Sequence, residues 1–284
     1  MDTEESNELV YHYTSLDAFI SIVNSRTFRF GDARTMNDYT EIEHNINLLL
    51  NLEKQKPELM EKLNISNEGF NKGIENIQFF KKYIENHYIH IMSFSNNPDT
   101  LSQWRGYADS GKGICFGMNL SALRHCCLNS IYRIAGNCIY IQEQLNKEAQ
   151  NLLKLASTFD SNDCEFEARS NFLDDFIAFI TTGKNEAFID EGEVRLVSFI
   201  EKLPPPQDVK FINSNGFIKS YLEVSFPINI IDTIILGPCC KFTTEDPVFN
   251  DMLDNLFFNK KLYELGVDTN PYKPKILSSK ATFR

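Results

Sequence analysis

Apolar and polar positions along this chain recur with two periods, near 2 and near 3.6, and the changes of period divide it into elements. Residues 9–13 are rich in strand formers, and Thr14, Ser15 and Asp17 offer caps to a short helix over 18–24. A second strand is expected at 27–30, ending at Gly31. Met36-Asn37-Asp38 then leads into a helix that carries Ile42, Ile46, Leu49 and Leu50 on one side, and charge-rich helical spacing continues over 54–86. Residues 87–95 predict a buried strand closed by the polar turn 96–99. A short helix around Trp104, over 100–108, precedes a strand at 114–118, and a strand pair is expected within 132–140. Helical spacing returns from 142 to 180, interrupted at 160–163, so that 142–184 reads as a helical insert. Further strands are expected at 191–199, 219–224 and 233–238, and a last helix over 246–265.

Short strands and helices are thus interspersed throughout, with no internal repeat and no long flexible linker. The expectation is a polar N-terminal tail, 1–8, followed by a single α+β domain over 9–284. Composition agrees with a globular chain: 284 residues, 42% apolar and 24% charged, which excludes disordered and collagen-like classes. The net charge of −11 disfavours non-specific attraction to phosphate backbones and anionic membranes. Seven scattered cysteines, without a C-x-x-C pair, suggest reduced thiols. The acidic start and the lack of an apolar run of roughly 18 residues lead to the expectation of a cytoplasmic protein with no membrane partner.

One strand stands out chemically. Alternation across residues 191–196 puts Glu191, Glu193 and Arg195 on one face, with Val194 and Leu196 on the other. Two carboxylates beside a guanidinium suit a cleft that binds sugar hydroxyls; an exposed surface pair is the plainer reading. His12, between Tyr11 and Tyr13, lies near a strand end as a ligand-binding imidazole would, or as a core histidine bonded to backbone. His87 and His90, three apart on a strand, point to opposite faces and do not chelate one ion, so no metal is expected. Gly106 to Gly113 has the spacing of a phosphate loop, but Gly113 stands where the magnesium-binding hydroxyl belongs and a strand follows. The glycines Gly111 and Gly113 still permit close approach of a ligand. Trp104, Arg105 and Tyr107 would suit stacking on a planar ring, or Trp104 is a core anchor. Adjacency of Cys115, Cys126 and Cys127 to His125 gives no general-base arrangement.

In order along the chain stand Tyr11-His12-Tyr13-Thr14-Ser15, Met36-Asn37-Asp38 with Glu41, Ser93-Phe94-Ser95, Gln103-Trp104-x-x-Tyr107, Gly111-Lys112-Gly113-Ile114-Cys115-Phe116-Gly117, Glu191-x-Glu193-x-Arg195 and Ile235-Leu236-Gly237-Pro238. This ordered set resembles the bacterial domain-of-unknown-function family 2971, whose name carries no activity. A more distant resemblance is to ADP-ribosyltransferases, and it implies a split, mostly antiparallel sheet that clamps NAD as substrate. Under that resemblance His12 binds a ribose hydroxyl, and Tyr13, Ser93, Ser95, Trp104, Gly111, Lys112, Gly113 and Arg195 line the nucleotide site. Glu193 aligns the nicotinamide ribose and Glu191 orients or deprotonates the acceptor. Cys115 occupies the position of the nicotinamide-stacking tyrosine of one branch, with Tyr107 as a substitute, while the Ser-x-Ser and Glu-x-Glu elements resemble another branch. The implied function is ADP-ribosyl transfer or NAD cleavage, in bacterial defence or stress response, with a protein or nucleic-acid acceptor. The alternative is an inert module that binds a small-molecule nucleotide or a partner.

Overall fold

The computed structural model describes residues 8–36, 39–128, 132–159, 166–214, 216–257 and 273–282. Among them ten strands form one sheet: β1 (Leu9–Thr14), β2 (Thr27–Asp32), β3 (His87–Ser95), β4 (Ile114–Asn119), β5 (Tyr132–Asn137), β6 (Glu193–Glu201), β7 (Lys210–Ser214), β8 (Phe217–Ser225), β9 (Ile231–Leu236) and β10 (Lys275–Ser278). The order β10-β9-β4-β1-β3-β2-β8-β7 is antiparallel except for β9 with β10, while β6 pairs along β3 and carries β5 on its other edge. This is an α+β domain with a large, mostly antiparallel sheet.

The helices are α1 (Leu16–Ser25), α2 (Tyr39–Asn51), α3 (Lys56–Leu63), α4 (Asn67–Glu85), α5 (Leu101–Tyr107), α6 (Leu120–Leu128), α7 (Gln142–Ala156), α8 (Phe166–Thr182) and α9 (Pro247–Phe257). Ser15 caps α1, its Oγ accepting from Ala18 N at 3.2 Å. One face of the sheet (Val10, Phe28, Phe94, Phe116, Val194, Leu196, Leu222, Ile234) packs against Phe19 and Val23 of α1, Leu123 of α6 and Phe249 and Leu253 of α9. The other face carries two separate covers. Ile91, Val197 and Phe199 meet Ile46 and Leu49 of α2, Phe80 of α4, Leu153 of α7 and Phe176 of α8. Tyr13, Cys115 and Ile235 lie under Trp104 and Ala108 at α5.

Between the two covers the sheet itself opens. β1 meets β3 at a single register pair, Tyr11 with Ser95, and β2 meets β3 only at Gly31 with Ile91 and Asp32 with His90. By contrast β3 and β6 pair over nine residues. β1 and β2 therefore splay apart beside residues 92–94 of β3.

Several elements differ from the sequence expectation. Residues 132–140 hold one strand rather than a pair, because Ile139 makes only an isolated parallel bridge to Gly183. The strand expected from 191 begins at Glu193, since Glu186–Glu191 coils into a 3-10 turn that Gly192 ends at φ +48°. β9 starts at Ile231 and ends before Gly237-Pro238. α6, β7 and β10 were not expected from periodicity. The 142–184 segment is part of the core, with Leu145, Leu152, Phe172 and Ile177 buried. The expected tail, up to residue 7, the Asn37-Asp38 pair, the break at 160–163 and the last helix beyond 257 lie outside the described residues. No helix among the described residues is long and apolar enough to cross a membrane.

The glycine loop proves to be a joint in the sheet. A Cβ on Gly113 would stand 2.1 Å from the Thr14 carbonyl oxygen, and the Gly113 and Gly111 carbonyls accept from Gly237 N at 3.0 Å and Cys239 N at 2.8 Å. Gly113→Ala is therefore expected to destabilise the fold by ~2 kcal/mol or more, read as a lower urea midpoint.

Candidate functional site

The opening between the two helical covers is a cavity of about 450 Å³, within the ~300–1,000 Å³ span of small-molecule sites. Its lining includes Tyr11, His12 and Tyr13 of β1, Ser93, Phe94 and Ser95 of β3, and Gln103 and Tyr107 of α5. Lys184, Glu191 and Glu193 form one end, and Arg29, Lys219 and Tyr221 the other.

The acidic end is built around a guanidinium with no exposed surface. Arg195 projects from β6 towards α8 and donates from Nη1 to the Thr181 carbonyl at 2.6 Å, from Nη2 to Glu41 Oε2 at 3.2 Å, and from Nε and Nη2 to Glu193 Oε1 and Oε2 at 2.9 and 3.0 Å. Glu193 shares its strand face, as alternation requires. Lys184, 6% exposed, donates to Glu193 Oε2 at 2.6 Å and to Glu191 Oε2 at 2.5 Å. Glu191 reaches this cluster from the 3-10 turn rather than from the strand, and Tyr107 donates to its Oε1 at 3.3 Å. Burial raises the Glu193 carboxyl, but the charges and hydrogen bonds of Arg195 and Lys184 outweigh burial and hold it down at about 2. Burial and the facing Glu191 push the Tyr107 phenol up to about 12, so it remains a donor at neutral pH.

His12 lies in the splay. Its Nδ1 is 3.3 Å from the Ser93 carbonyl, and its ring meets Phe28, Phe94 and Phe116 edge-on at 5.5 to 6.3 Å. Burial lowers its imidazole to about 4, so the ring is neutral at pH 7. A carbonyl only accepts, which makes Nδ1 the protonated nitrogen and leaves Nε2 as an acceptor. The Ser93 hydroxyl is buried with no protein partner. Ser95 Oγ instead donates to the Glu191 carbonyl at 2.6 Å and accepts from Asn97 N at 3.0 Å, fixing the acidic turn against β3. Tyr13 donates to the Asn97 carbonyl at 2.7 Å and packs edge-on against Trp104 at 4.9 Å.

His12, Tyr13, Ser93, Ser95, Tyr107, Glu191 and Glu193 thus share one cavity, and Arg195 supports it from behind Glu193. The remaining sequence candidates stand elsewhere. Trp104 is fully buried, its Nε1 donating to Asp99 Oδ1 at 2.6 Å, and it serves as a core anchor. Gly111, Lys112 and Gly113 belong to the sheet joint, and Cys115 is enclosed beneath α5. Tyr107, not Cys115, is the one of that pair that faces the cavity. Lys184 went unrecognised because it follows a helix with no motif around it; the carboxylate spacing at 191 and 193 was the only sign that a buried cation was needed. Among the described residues no group of three or more His, Cys, Asp or Glu is placed to hold a metal ion.

The Glu193 carboxyl sits at about 2 in the folded chain against 4.5 ordinarily, so it contributes stability that is fully present above 4.5 and is lost as pH falls towards 2. Glu193→Gln, which leaves Lys184 and Arg195 short of a buried counter-charge, is expected to cost ~3 kcal/mol or more at pH 7. The gap between wild type and variant should narrow as pH drops from 4.5, measured by urea unfolding at stepped pH. A gap independent of pH would mean that the carboxylate charge is not what holds this end together.

No curated protein and no solved structure matches the chain. The family model described as protein of unknown function, DUF2971, matches residues 103–196, the stretch that runs from Gln103 and Tyr107 to Glu193 and Arg195.

Proposed function

We propose that the cavity binds NAD and that the chemistry is cleavage of its nicotinamide–ribose bond, by ADP-ribosyl transfer or by hydrolysis. The observation that carries this reading is that a neutral imidazole acceptor (His12), an unpartnered hydroxyl (Ser93) and a carboxylate held ionised (Glu193) line one cavity at the splayed strands. The two ends of the cavity differ in sign as the ligand does. Glu191 and Glu193 face one end, where a cationic nicotinamide ring fits, and Arg29 and Lys219 the other, where a pyrophosphate fits. The splay of β1 from β3 also agrees with the split sheet of the ADP-ribosyltransferase resemblance, which stays a fold-level analogy.

Of the four lone-pair positions of the Glu193 carboxylate, three accept from Arg195 and Lys184, and one on Oε1 remains to accept a ribose hydroxyl. As the C1′–N bond breaks, its electron pair leaves with neutral nicotinamide, and positive charge grows on the ribose beside a carboxylate that needs no reorganisation. The acceptor, a water or a nucleophilic group, bonds to C1′ through its lone pair and gives its proton to Glu191. Tyr107 holds Glu191 at the exposed rim, where an acceptor arrives. One observation favours binding without turnover: Lys184 bridges both carboxylates and offsets their charge.

Nicotinamide release from NAD, followed alongside calorimetric binding, tests the proposal. Wild type is expected to release nicotinamide, and Glu193→Gln to lose about 100-fold or more. Because that variant also disturbs the fold, Ser93→Ala serves beside it: it leaves no protein group unpaired, should change stability by less than ~0.5 kcal/mol, and should weaken NAD binding about 5- to 10-fold. Binding without release selects the inert nucleotide module, and absence of NAD binding overturns the proposal.

A further inference from the structure

The β7–β8 hairpin carries the largest run of exposed apolar side chains near the cavity. Phe211, Ile212, Phe217 and Ile218 are 64%, 41%, 73% and 78% exposed. They occupy both faces of the hairpin: the register pairs Phe211 with Ser220, Ile212 with Lys219 and Asn213 with Ile218, so Phe211 and Ile218 share one face, Ile212 and Phe217 the other. Among the described residues β7 is the end strand of the sheet and pairs with β8 alone, which leaves its five-residue outer edge without a strand partner there. An exposed apolar edge of this kind is a template for pairing with another strand, and natural chains blunt it unless it is used. Here the only charge on β7 is Lys210, at its start, where it pairs with Glu223 Oε2 of β8 at 2.5 Å.

We propose that this edge is where two copies of the chain join, β7 against β7 in antiparallel register about a two-fold axis at Ile212. The sequence Lys210-Phe211-Ile212-Asn213-Ser214 is self-complementary in that register. Ile212 faces its own counterpart, Phe211 lies opposite Asn213 and Lys210 opposite Ser214, so no like charges meet. The arrangement is isologous and closes at two copies, as most homo-oligomers do. Phe211 and Ile212 of each copy lie along the joined edge, one on each face, where the neighbouring strand covers part of them and strand hydrogen bonds between the two edges add to that burial. The alternative occupants suit the surface less well. A lipid surface or a nucleic acid would meet a chain of net charge −11, and the lone basic group of β7 is already engaged by Glu223.

Ile212 also lines the cavity, so the test reads molecular mass, an outcome separate from nucleotide binding. That test is sedimentation of the full chain at concentrations up to about 100 μM, where a micromolar pair is largely formed. Wild type is expected at twice the 32.8 kDa chain mass. Ile212→Lys, which sets two ammonium groups face to face, should sediment at the single-chain mass while still unfolding in a single cooperative thermal transition. Ile212→Cys should give a disulfide-linked pair on mild oxidation that wild type, treated alike, does not. A wild type that stays at the single-chain mass overturns the proposal, as does a pair that survives Ile212→Lys, or an Ile212→Cys chain that fails to cross-link.

Discussion

A guanidinium in the middle of a buried strand is the constraint around which this structure is arranged. Arg195 has no exposed surface, and removing its charge from water is tolerable only if its donors are met by well-placed acceptors. Those acceptors come from three places, Glu193 two residues along the same strand, Thr181 at the end of α8, and Glu41 on α2, and Lys184 is then needed to balance the carboxylates. Satisfying one side chain thereby fixes how two helices and a turn sit against β6. Asn45, one turn along α2 from Glu41, completes the fastening by donating to the Ile180 and Gly183 carbonyls at 3.2 and 2.8 Å.

That fastening explains why the cavity has a rigid acidic wall. The α8 terminus delivers Lys184, whose backbone N–H bonds to Ile139 at 2.9 Å, and the short turn after it returns Glu191 to within reach of the ammonium. The α5 wall is held by Trp104 packing against Tyr13 and by Asp99, which accepts from Trp104 and from Ser279 Oγ at 2.5 Å, and Tyr107 ties it to Glu191 of the acidic wall. The cavity occupies the seam between two packed bodies, and the strands below it are free to splay because no ladder joins β1 to the middle of β3.

The sequence discloses the repeating parts of this arrangement and conceals the long-range ones. Alternation over 191–196 put Glu193 and Arg195 on one face, and helical spacing at Ile42, Ile46, Leu49 and Leu50 and again over 142–180 marked helices that cover it. Nothing local indicated that Glu41, 154 residues away, and Lys184 would close on the same guanidinium, because such pairs are chosen by tertiary packing. Glu191 shows the limit of periodic reasoning: alternation put it on the strand, while Gly192 in a left-handed conformation turns the chain there and presents the carboxylate by another route. The glycines at 111 and 113 read as ligand-approach positions, yet Gly111 is used for its positive φ and Gly113 for the close approach of the Thr14 and Ala108 backbone. A sequence registers that backbone must come close, not whose.

Glu193 holds both a structural and a candidate chemical position, and the two need not conflict. Glu41, Glu191 and Glu193 against Lys184 and Arg195 leave one negative charge among the five named groups. Full neutralisation would stabilise the empty cavity but offer nothing to a cation, and two unpaired carboxylates would repel each other and take up a proton. A residual single charge, with Glu193 kept ionised by the partners behind it, is the arrangement that can face a cationic ligand without changing protonation state. The buried guanidinium that organises the fold is thus also what lets Glu193 remain charged where a ligand would meet it.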